Sequence, residues 1–134
     1  MSEKVLVTTG KRKMSIARAT IKSGKGIVRV NGHLVDALSN KTIKDKIKEP
    51  LILAGDLANK VDISVKVLGG GYISQAEAVR NAIARALLNF SGDNELKKTF
   101  LDYDRHLLVS DVRRTEPHKS CRSSARRGKQ TSKR

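Results

Sequence analysis

The sequence predicts an α+β fold in which amphipathic helices pack on a β-sheet, and three observations support this prediction. Apolar and polar residues alternate in the first half of the chain and again over residues 61–67, which is the period of a half-buried strand. Elsewhere, apolar residues recur every three to four positions, which is the period of a helix. Aromatic residues make up only 3% of the chain and tryptophan is absent, so the core must consist mainly of Val, Ile, Leu and Ala.

Three strands are predicted in the first 30 residues. The first includes residues 5–7, the second runs from Ser15 to Lys22 with small and apolar residues on one face, and the third covers residues 27–30. Gly24-Lys25-Gly26 permits the positive φ angles of a tight hairpin turn, and Asn31-Gly32 indicates another turn. These features predict three consecutive antiparallel strands.

A helix is predicted from Asn40 onwards, because apolar residues then recur at helical spacing among charged ones. Pro50 is expected to break or kink this helix, since proline lacks a backbone N–H and clashes with the preceding turn. The alternation over residues 61–67 then predicts a strand with one buried face.

Another helix is predicted after the glycine triplet Gly69-Gly70-Gly71. Ser74 is expected to cap it, and it extends to about Phe90 with one apolar stripe that should pack on the sheet. A shorter amphipathic stretch covers residues 94–101.

Basic residues are concentrated at the two ends of the chain. The protein has 28 Lys and Arg against 13 Asp and Glu, a net charge of +15; residues 1–26 carry +6 and residues 112–134 carry +8. The 85 residues between them are nearly neutral. This distribution predicts a globular domain over residues 1–111 and an extended, mobile basic tail over residues 112–134, since the tail has almost no apolar side chains to bury.

A polyanion is the expected partner of such a tail. Arginine donates paired hydrogen bonds to phosphate and stacks on bases, which suits RNA, and no apolar face accompanies the charges to enter a membrane. No apolar run approaches the roughly 18 residues of a membrane span, and no signal-peptide block is present. With Cys121 as the single cysteine, no intramolecular disulfide forms, so we expect a soluble, intracellular protein.

No residue set in the sequence predicts catalysis, a metal site, a cofactor or a small-molecule substrate. Asp102 and Asp104 flank a tyrosine beside Arg105, which favours a local ion pair over metal ligation. His118 and Cys121 have a spacing seen in zinc sites, but a complete ligand set is missing and the surrounding charge is positive.

Two segments are candidates for phosphate contact. Gly69-Gly70-Gly71 precedes a helix N-terminus, whose free N–H groups and dipole attract anions, although the same glycines equally suit a sharp turn. The cluster Lys11-Arg12-Lys13 is predicted to lie in a turn, followed by Arg18 and Lys22 on one face of the next strand. Such a face can follow a nucleic-acid backbone or simply protect an edge strand, and the spacing supports both equally. Because aromatic residues are scarce, phosphate contacts should dominate over base stacking.

The stretch from Gly69 to Leu87 closely resembles the signature of the universal family of small-subunit ribosomal protein nine. It contains a glycine triplet, a glutamine four residues after the last glycine, and a terminal Ala-Arg-Ala-Leu. Residues 10–19, with Gly-Lys-Arg-Lys followed by Ser-Ile-Ala-Arg-Ala, resemble the N-terminal motif of the family, and the final Ser132-Lys133-Arg134 resembles its ending. Residues 103–105 and 111–117 resemble the archaeal and eukaryotic branch.

This resemblance implies a two-layer α/β sandwich of order β-β-β-α-β-α with a left-handed crossover and a long C-terminal tail. It implies a non-enzymatic structural constituent of the small-subunit head in the cytoplasm, beside other head proteins, with the tail passing through ribosomal RNA toward the peptidyl site. The residues expected to contact ribosomal RNA are Lys11, Arg12, Lys13, Arg18, Gly69, Gly70, Gly71, Gln75, Arg113, Arg114, Lys119, Arg122, Arg126, Arg127 and Lys129. Ser132, Lys133 and Arg134 are expected to contact peptidyl-site transfer RNA.

The alternative is an RNA-binding subunit of an RNA-processing ribonucleoprotein such as ribonuclease P. Arg80-Asn81 weakly resembles the arginine-rich helix of that protein, but residues 76–88 offer fewer basic side chains.

Overall fold

A computed structural model describes residues 4–128 and residue 132. The described part of the chain contains five strands and three α-helices. In chain order they are β1 (Leu6–Arg12), β2 (Ser15–Ser23), β3 (Val28–Val30), β4 (His33–Leu34), α1 (Lys41–Ala54), β5 (Val61–Leu68), α2 (Tyr72–Ser91) and α3 (Asn94–Tyr103). Short 3-10 helices lie at Val35–Ala37, Gly55–Lys60 and Arg105–Leu107. The prediction of an α+β sandwich is confirmed.

The five strands form one sheet in the order β1-β2-β5-β3-β4. β1 and β2 form an antiparallel hairpin, β5 pairs antiparallel with β2, and β3 pairs parallel with β5. The alternating burial along β2 and β5 shows that one face of the sheet is covered and the other is open. The strand predicted over residues 61–67 is therefore confirmed, and it lies at the centre of the sheet.

The prediction of three consecutive antiparallel strands with a hairpin at residues 24–26 is wrong, because β5 lies between β2 and β3. The glycine segment instead crosses the end of β5. The backbone N–H of Gly24 donates to the carbonyl of Lys60 at 2.9 Å, and that of Gly26 donates to Val61 at 3.1 Å. The Asp62 carboxylate accepts hydrogen bonds from two further N–H groups of the crossing chain. These bonds satisfy the backbone of a crossover, and β3 is thereby carried to the far side of β5.

Two predicted helix features also differ from the structure. α1 continues through the buried Pro50 to Ala54 and is not broken there, since packing of the helix on the core outweighs the hydrogen bond that proline removes. Asn40 caps its N-terminus by accepting from two backbone N–H groups. Ser74 does not cap α2; it lies inside the first turn, and Gly71 takes the cap position without a side-chain hydrogen bond.

The core is built where α2 packs on β1 and β2. The apolar stripe predicted for α2 is confirmed, with Val79, Ile83 and Leu87 at 0 to 1% exposure. Small residues on this helix allow a close approach to β1, and the Thr8 hydroxyl donates to the carbonyl of Ala82 at 2.9 Å. The core therefore consists mainly of alanine, valine, isoleucine and leucine, with Phe100 as its one fully buried aromatic side chain among the described residues.

Asn81 is a polar residue of α2 that is packed inside the domain. Its side chain is buried, at 3% exposure, and its amide nitrogen donates to the carbonyls of His106 and Leu107 at 3.0 and 3.1 Å. These bonds fix the 3-10 turn that follows α3 against α2, and so determine where the chain begins its final segment.

Candidate RNA-binding surface

The basic cluster near the N-terminus divides between strand and turn. Lys11 and Arg12 are the last residues of β1, while Lys13 lies in the turn with a positive φ of 52°. Lys11 and Lys13 are exposed, and so is Arg18 on the open face of the sheet. The structure therefore brings Lys11, Lys13 and Arg18 to the surface at one end of the β1–β2 hairpin.

Arg12 differs from its neighbours, because its guanidinium group is enclosed by acids and only 14% of its side chain is exposed. Its Nε lies 2.6 Å from Glu77 Oε2, and its Nη1 lies 2.9 Å from Asp111 Oδ2. The backbones of Arg12 and Asp111 also form a parallel β-bridge. We call Arg12, Glu77 and Asp111 the tail anchor, since they join β1 and α2 to the point where the tail begins.

The carboxylates of the tail anchor are held in their charged form. Arg113 donates to Asp111 from its side chain and its backbone N–H, and these bonds, with the charges of Arg113 and Arg12, hold the pKa of Asp111 well below its usual range against the effect of burial. Burial raises the pKa of Glu77, but the hydrogen bonds and charges of Arg12 and Lys46 outweigh it and leave that pKa lowered. Carboxyl groups with a lowered folded pKa stabilise the protein above their unfolded pKa of roughly 4 and lose this contribution as the pH falls further. The anchor is therefore intact at neutral pH.

Replacing Arg12 with methionine should lower the free energy of unfolding by about 1–2 kcal/mol, because it leaves Glu77 and Asp111 with one cation fewer in a partly buried site. Urea denaturation at pH 7 measures this loss. Lys11→Met is the matched control: it removes an exposed charge from the adjacent position and should change stability by less than about 0.5 kcal/mol. Equal stability of the two variants would contradict the anchoring role of Arg12.

The C-terminal tail is exposed along almost all of its described length, residues 112–128, and contains neither helix nor strand there. Arg126 pairs with Glu116 at 2.7 Å, and Arg127 donates to the Ser123 hydroxyl at 2.9 Å. Within the described residues, Arg114, Lys119 and Arg122 form no ion pair. Of the remaining predicted contacts, Ser132 is exposed. Lys129, Lys133 and Arg134 lie outside the described residues.

The glycine triplet has a demonstrable packing role at its first two positions. Gly69 and Gly70 have positive φ angles of 81° and 66°. A Cβ atom on Gly70 would lie 2.2 Å from the Ser15 hydroxyl oxygen, and one on Gly69 would lie 2.6 Å from the carbonyl oxygen of Met14. The Ser15 hydroxyl and the Gln75 amide both donate to the Gly69 carbonyl, at 2.8 and 3.1 Å. Gly69 and Gly70 thus form a tight corner against the start of β2. Contact of any of the three glycines with phosphate stays a prediction.

The acidic pair in α3 and its C-cap does not form the expected local contact. Asp104 pairs with Arg80 of α2 at 2.9 Å and accepts from the backbone N–H of His106, so its partner is not Arg105. Among residues 4–128 and 132, no group of three or more His, Cys, Asp and Glu side chains has an arrangement suited to a metal ion. No α-helix in this part of the chain is long and apolar enough to cross a membrane.

The sequence did not indicate which acids form ion pairs with Arg12. Glu77 is 65 positions from Arg12 and Asp111 is farther still, so no local spacing indicates their contact. The one available signal is local: Asp111 precedes Arg113 by two residues, and a carboxylate at that spacing can accept from the later N–H.

The fold and these side chains define a class: a small, basic α+β protein with exposed cations on a strand hairpin and on a C-terminal segment, the charge distribution of nucleic-acid-binding proteins. The family model for ribosomal protein S9/S16 matches residues 10–134. Small ribosomal subunit protein uS9 of Desulfurococcus amylolyticus is 56% identical over 124 residues, covering 92% of this chain and 89% of that protein. The uS9 proteins of Methanococcus maripaludis (strain C7) and Methanococcus vannielii are each 50% identical to this chain over 121 residues, which cover 90% of this chain and 90% of each relative.

This chain therefore belongs to the ribosomal protein S9 family. The resemblance of its motifs to the archaeal branch is confirmed by these archaeal relatives. Its role is that of a structural protein of the small ribosomal subunit, since the family is one of ribosomal proteins and not of enzymes.

Proposed function

We propose that this protein binds the RNA of the small ribosomal subunit through two cationic regions, the β1–β2 hairpin and the C-terminal tail. The observation that carries the proposal is the charge of the described tail. Its basic side chains are exposed, and within residues 112–128 the one acid is Glu116, while Asp111 just before the tail pairs with Arg113. These basic residues are Arg113, Arg114, Lys119, Arg122, Arg126 and Arg127. Family membership supports the ribosomal setting, in which we place the protein in the head of the subunit, in the cytoplasm, beside other head proteins.

The physical basis of this binding is the release of counterions. Each phosphate neutralised by Lys or Arg frees condensed cations, so affinity depends steeply on salt. A segment with no core of its own can enter folded RNA where a rigid domain does not fit. The tail anchor supports the same arrangement, because it starts the tail beside the exposed Lys11 and Lys13 of the hairpin.

Salt titration of the purified protein with small-subunit ribosomal RNA tests the proposal. If about ten phosphates are contacted, the logarithm of the binding constant should fall with that of the salt concentration at a slope of about −7 to −9. A slope near zero would overturn the proposal. Duplex DNA at equal salt serves as the comparison, and tighter binding to DNA than to structured RNA would contradict a ribosomal role.

We further propose that the tip of the tail, Ser132, Lys133 and Arg134, contacts peptidyl-site transfer RNA. Removing these three residues should leave the thermal midpoint unchanged, because the tip has no apolar side chain to bury. It should weaken transfer-RNA binding to small subunits about tenfold, through the loss of two phosphate contacts. Filter binding to subunits assembled with either form measures the effect. Ser132→Ala is the control that keeps both charges, and equal binding by the truncated and full-length forms would reject the role of the tip.

The contacts of α2 speak against the ribonuclease P alternative. The arginines of this helix are engaged within the domain: Arg80 pairs with Glu49 and Asp104, and Arg85 donates to the carbonyl of Thr9 at 2.9 Å. A helix whose arginines are bound internally is a poor RNA-binding element, and the family match favours the ribosome.

A further inference from the structure

The face of the sheet that carries no helices is a cationic surface that extends from Lys11 and Arg18 of the hairpin onto β5 and β3. We call it the outer sheet face and define it by its basic side chains, which are Lys11, Arg18, Lys22, Arg29 and Lys66. All five are exposed. Within the described chain none of them forms an ion pair shorter than 4 Å, in contrast to Arg12 and Arg80 on the helix side.

The pairing of the strands places like charges together at the centre of this face. Arg18 of β2 lies directly opposite Lys66 of β5. Arg29 of β3 lies opposite Ser64, two residues along β5 from Lys66. Like charges directly opposite each other destabilise a sheet. The folded domain thus holds three unneutralised cations on three adjacent strands, about 10 Å across at the usual strand spacing.

Among the described strands, one acid lies on the outer sheet face, and its carboxylate already accepts hydrogen bonds from the backbone. Asp62 lies opposite Lys22 in the β2–β5 register, and its carboxylate accepts from the backbone N–H groups of Lys25 and Ile27 at 2.8 and 3.0 Å. Asp62 lies four residues along β5 from Lys66, which is opposite Arg18, so it pairs with neither of these cations. Between Lys22 and Arg29 lies an open depression of about 300 Å³ whose lining includes the side chains of Thr20 and Ser64. Their hydroxyl groups are potential donors to phosphate or ribose oxygens.

The distribution of apolar side chains argues against a protein partner. The exposed Ile16 and Leu68 face each other at one end of the sheet, and Val7 and Leu34 lie on the outer strands. The centre is polar and cationic, with Arg18 and Lys66 beside hydroxyl groups. A typical protein interface has the opposite arrangement, an apolar centre within a polar rim.

We propose that the outer sheet face binds the phosphate backbone of double-helical ribosomal RNA, with Arg18, Lys66 and Arg29 as the principal contacts. The described strands contain no Phe, Tyr or Trp, and their one histidine, His33, lies opposite the buried Val30 and therefore on the other face. The outer sheet face thus offers no aromatic platform for stacking unpaired bases, and a helical backbone is the form of RNA that it fits. This inference rests on the proposed function, ribosomal RNA binding, and extends its hairpin contact across β5 and β3.

The test compares three full-length variants that each lose three positive charges. The sheet variant is Arg18→Gln/Arg29→Gln/Lys66→Gln, and the tail variant is Arg114→Gln/Lys119→Gln/Arg122→Gln. The control variant changes exposed lysines on the helix side, Lys41→Gln/Lys97→Gln/Lys98→Gln. Binding to purified small-subunit ribosomal RNA without other proteins is measured over a range of salt concentrations, and circular dichroism verifies folding.

For the sheet variant, the slope of the logarithm of the binding constant against that of the salt concentration should become shallower by about 2 to 3. Its binding near physiological salt should be on the order of tenfold to a hundredfold weaker than that of the native protein, and the control variant should bind almost as the native protein does. A sheet variant that binds like the control, with a weakened tail variant, would overturn this inference and leave RNA binding through the tail standing. Native affinity in all three variants would overturn both.

Acylation of lysines gives an independent measurement that separates RNA from a protein neighbour. Lys66 should become protected when the native protein binds purified ribosomal RNA alone, and Lys97 should stay reactive. Protection of Lys66 only in complete subunits, and not with RNA alone, would assign the face to a neighbouring protein and overturn the inference.

Discussion

Replacing Gly10 with alanine should destabilise the protein by about 3 kcal/mol, which is a large part of the total stability of a domain of this size. Gly10 lies in β1 directly beneath α2. A Cβ atom at this position would lie 2.2 Å from the carbonyl oxygen of Ala78 and 2.5 Å from the backbone nitrogen of Ala82. Both are backbone atoms, so no side-chain rotation relieves the contact, and α2 must move away from β1. That movement also disturbs the bond from the Thr8 hydroxyl to the Ala82 carbonyl.

Urea denaturation of Gly10→Ala measures this loss. Gly71→Ala is the matched control, because a Cβ atom there has no neighbour within 4 Å and the φ of Gly71 is −91°, which alanine adopts readily. The control should change stability by less than about 1 kcal/mol. If the two variants unfold at the same urea concentration, the close approach of α2 to β1 is not what Gly10 provides.

Removing five positive charges from the tail should reduce affinity for ribosomal RNA more than removing five positive charges from other exposed positions. The variant replaces Arg114, Lys119, Arg122, Arg126 and Arg127 with glutamine and keeps Arg113, which binds Asp111. Losing five phosphate contacts should make the salt slope shallower by about 3.5 to 4.5 and lower affinity near physiological salt by roughly three orders of magnitude. Stability should not change measurably, since all five side chains are exposed and none contacts the core.

The control for this prediction removes five lysines from other exposed positions, namely Lys25, Lys41, Lys60, Lys97 and Lys98. It lowers the net charge by the same amount, so a long-range effect of charge alone would affect both variants equally. Fluorescence titration at several salt concentrations separates them. A control that weakens binding as much as the tail variant would show that the tail acts only through total charge.

Periodicity was sufficient to predict most of the secondary structure. The alternation over residues 61–67 predicted β5, and the stripe of Val79, Ile83 and Leu87 predicted the buried face of α2. Strand order could not be predicted in this way, because alternation reports which face of a strand is buried and not which strand lies beside it. The position of β5 between β2 and β3 depends on backbone hydrogen bonds from residues 24–27, which have no periodic signature.

The sequence was sufficient to predict the positive charge of the candidate RNA-binding surface, but not which of its cations form ion pairs. Residue counts locate the cations at the ends of the chain, and exposure of Lys11, Lys13 and Arg18 follows from strand alternation and turn position. Whether a given cation is free depends on acids distant in sequence. Arg12 and Lys11 are neighbours in the same strand, yet only Arg12 meets Glu77 and Asp111, because it points to the side on which α2 packs.

The parallel bridge between Arg12 and Asp111 would make the two regions that we propose to bind RNA a bivalent ligand. Both start from the same end of β1, so once either engages a phosphate strand, the other is held at a high local concentration and binds as if the step were intramolecular. Avidity then exceeds what either region achieves alone, and a break in this bridge weakens the whole complex without removing a single contact to RNA.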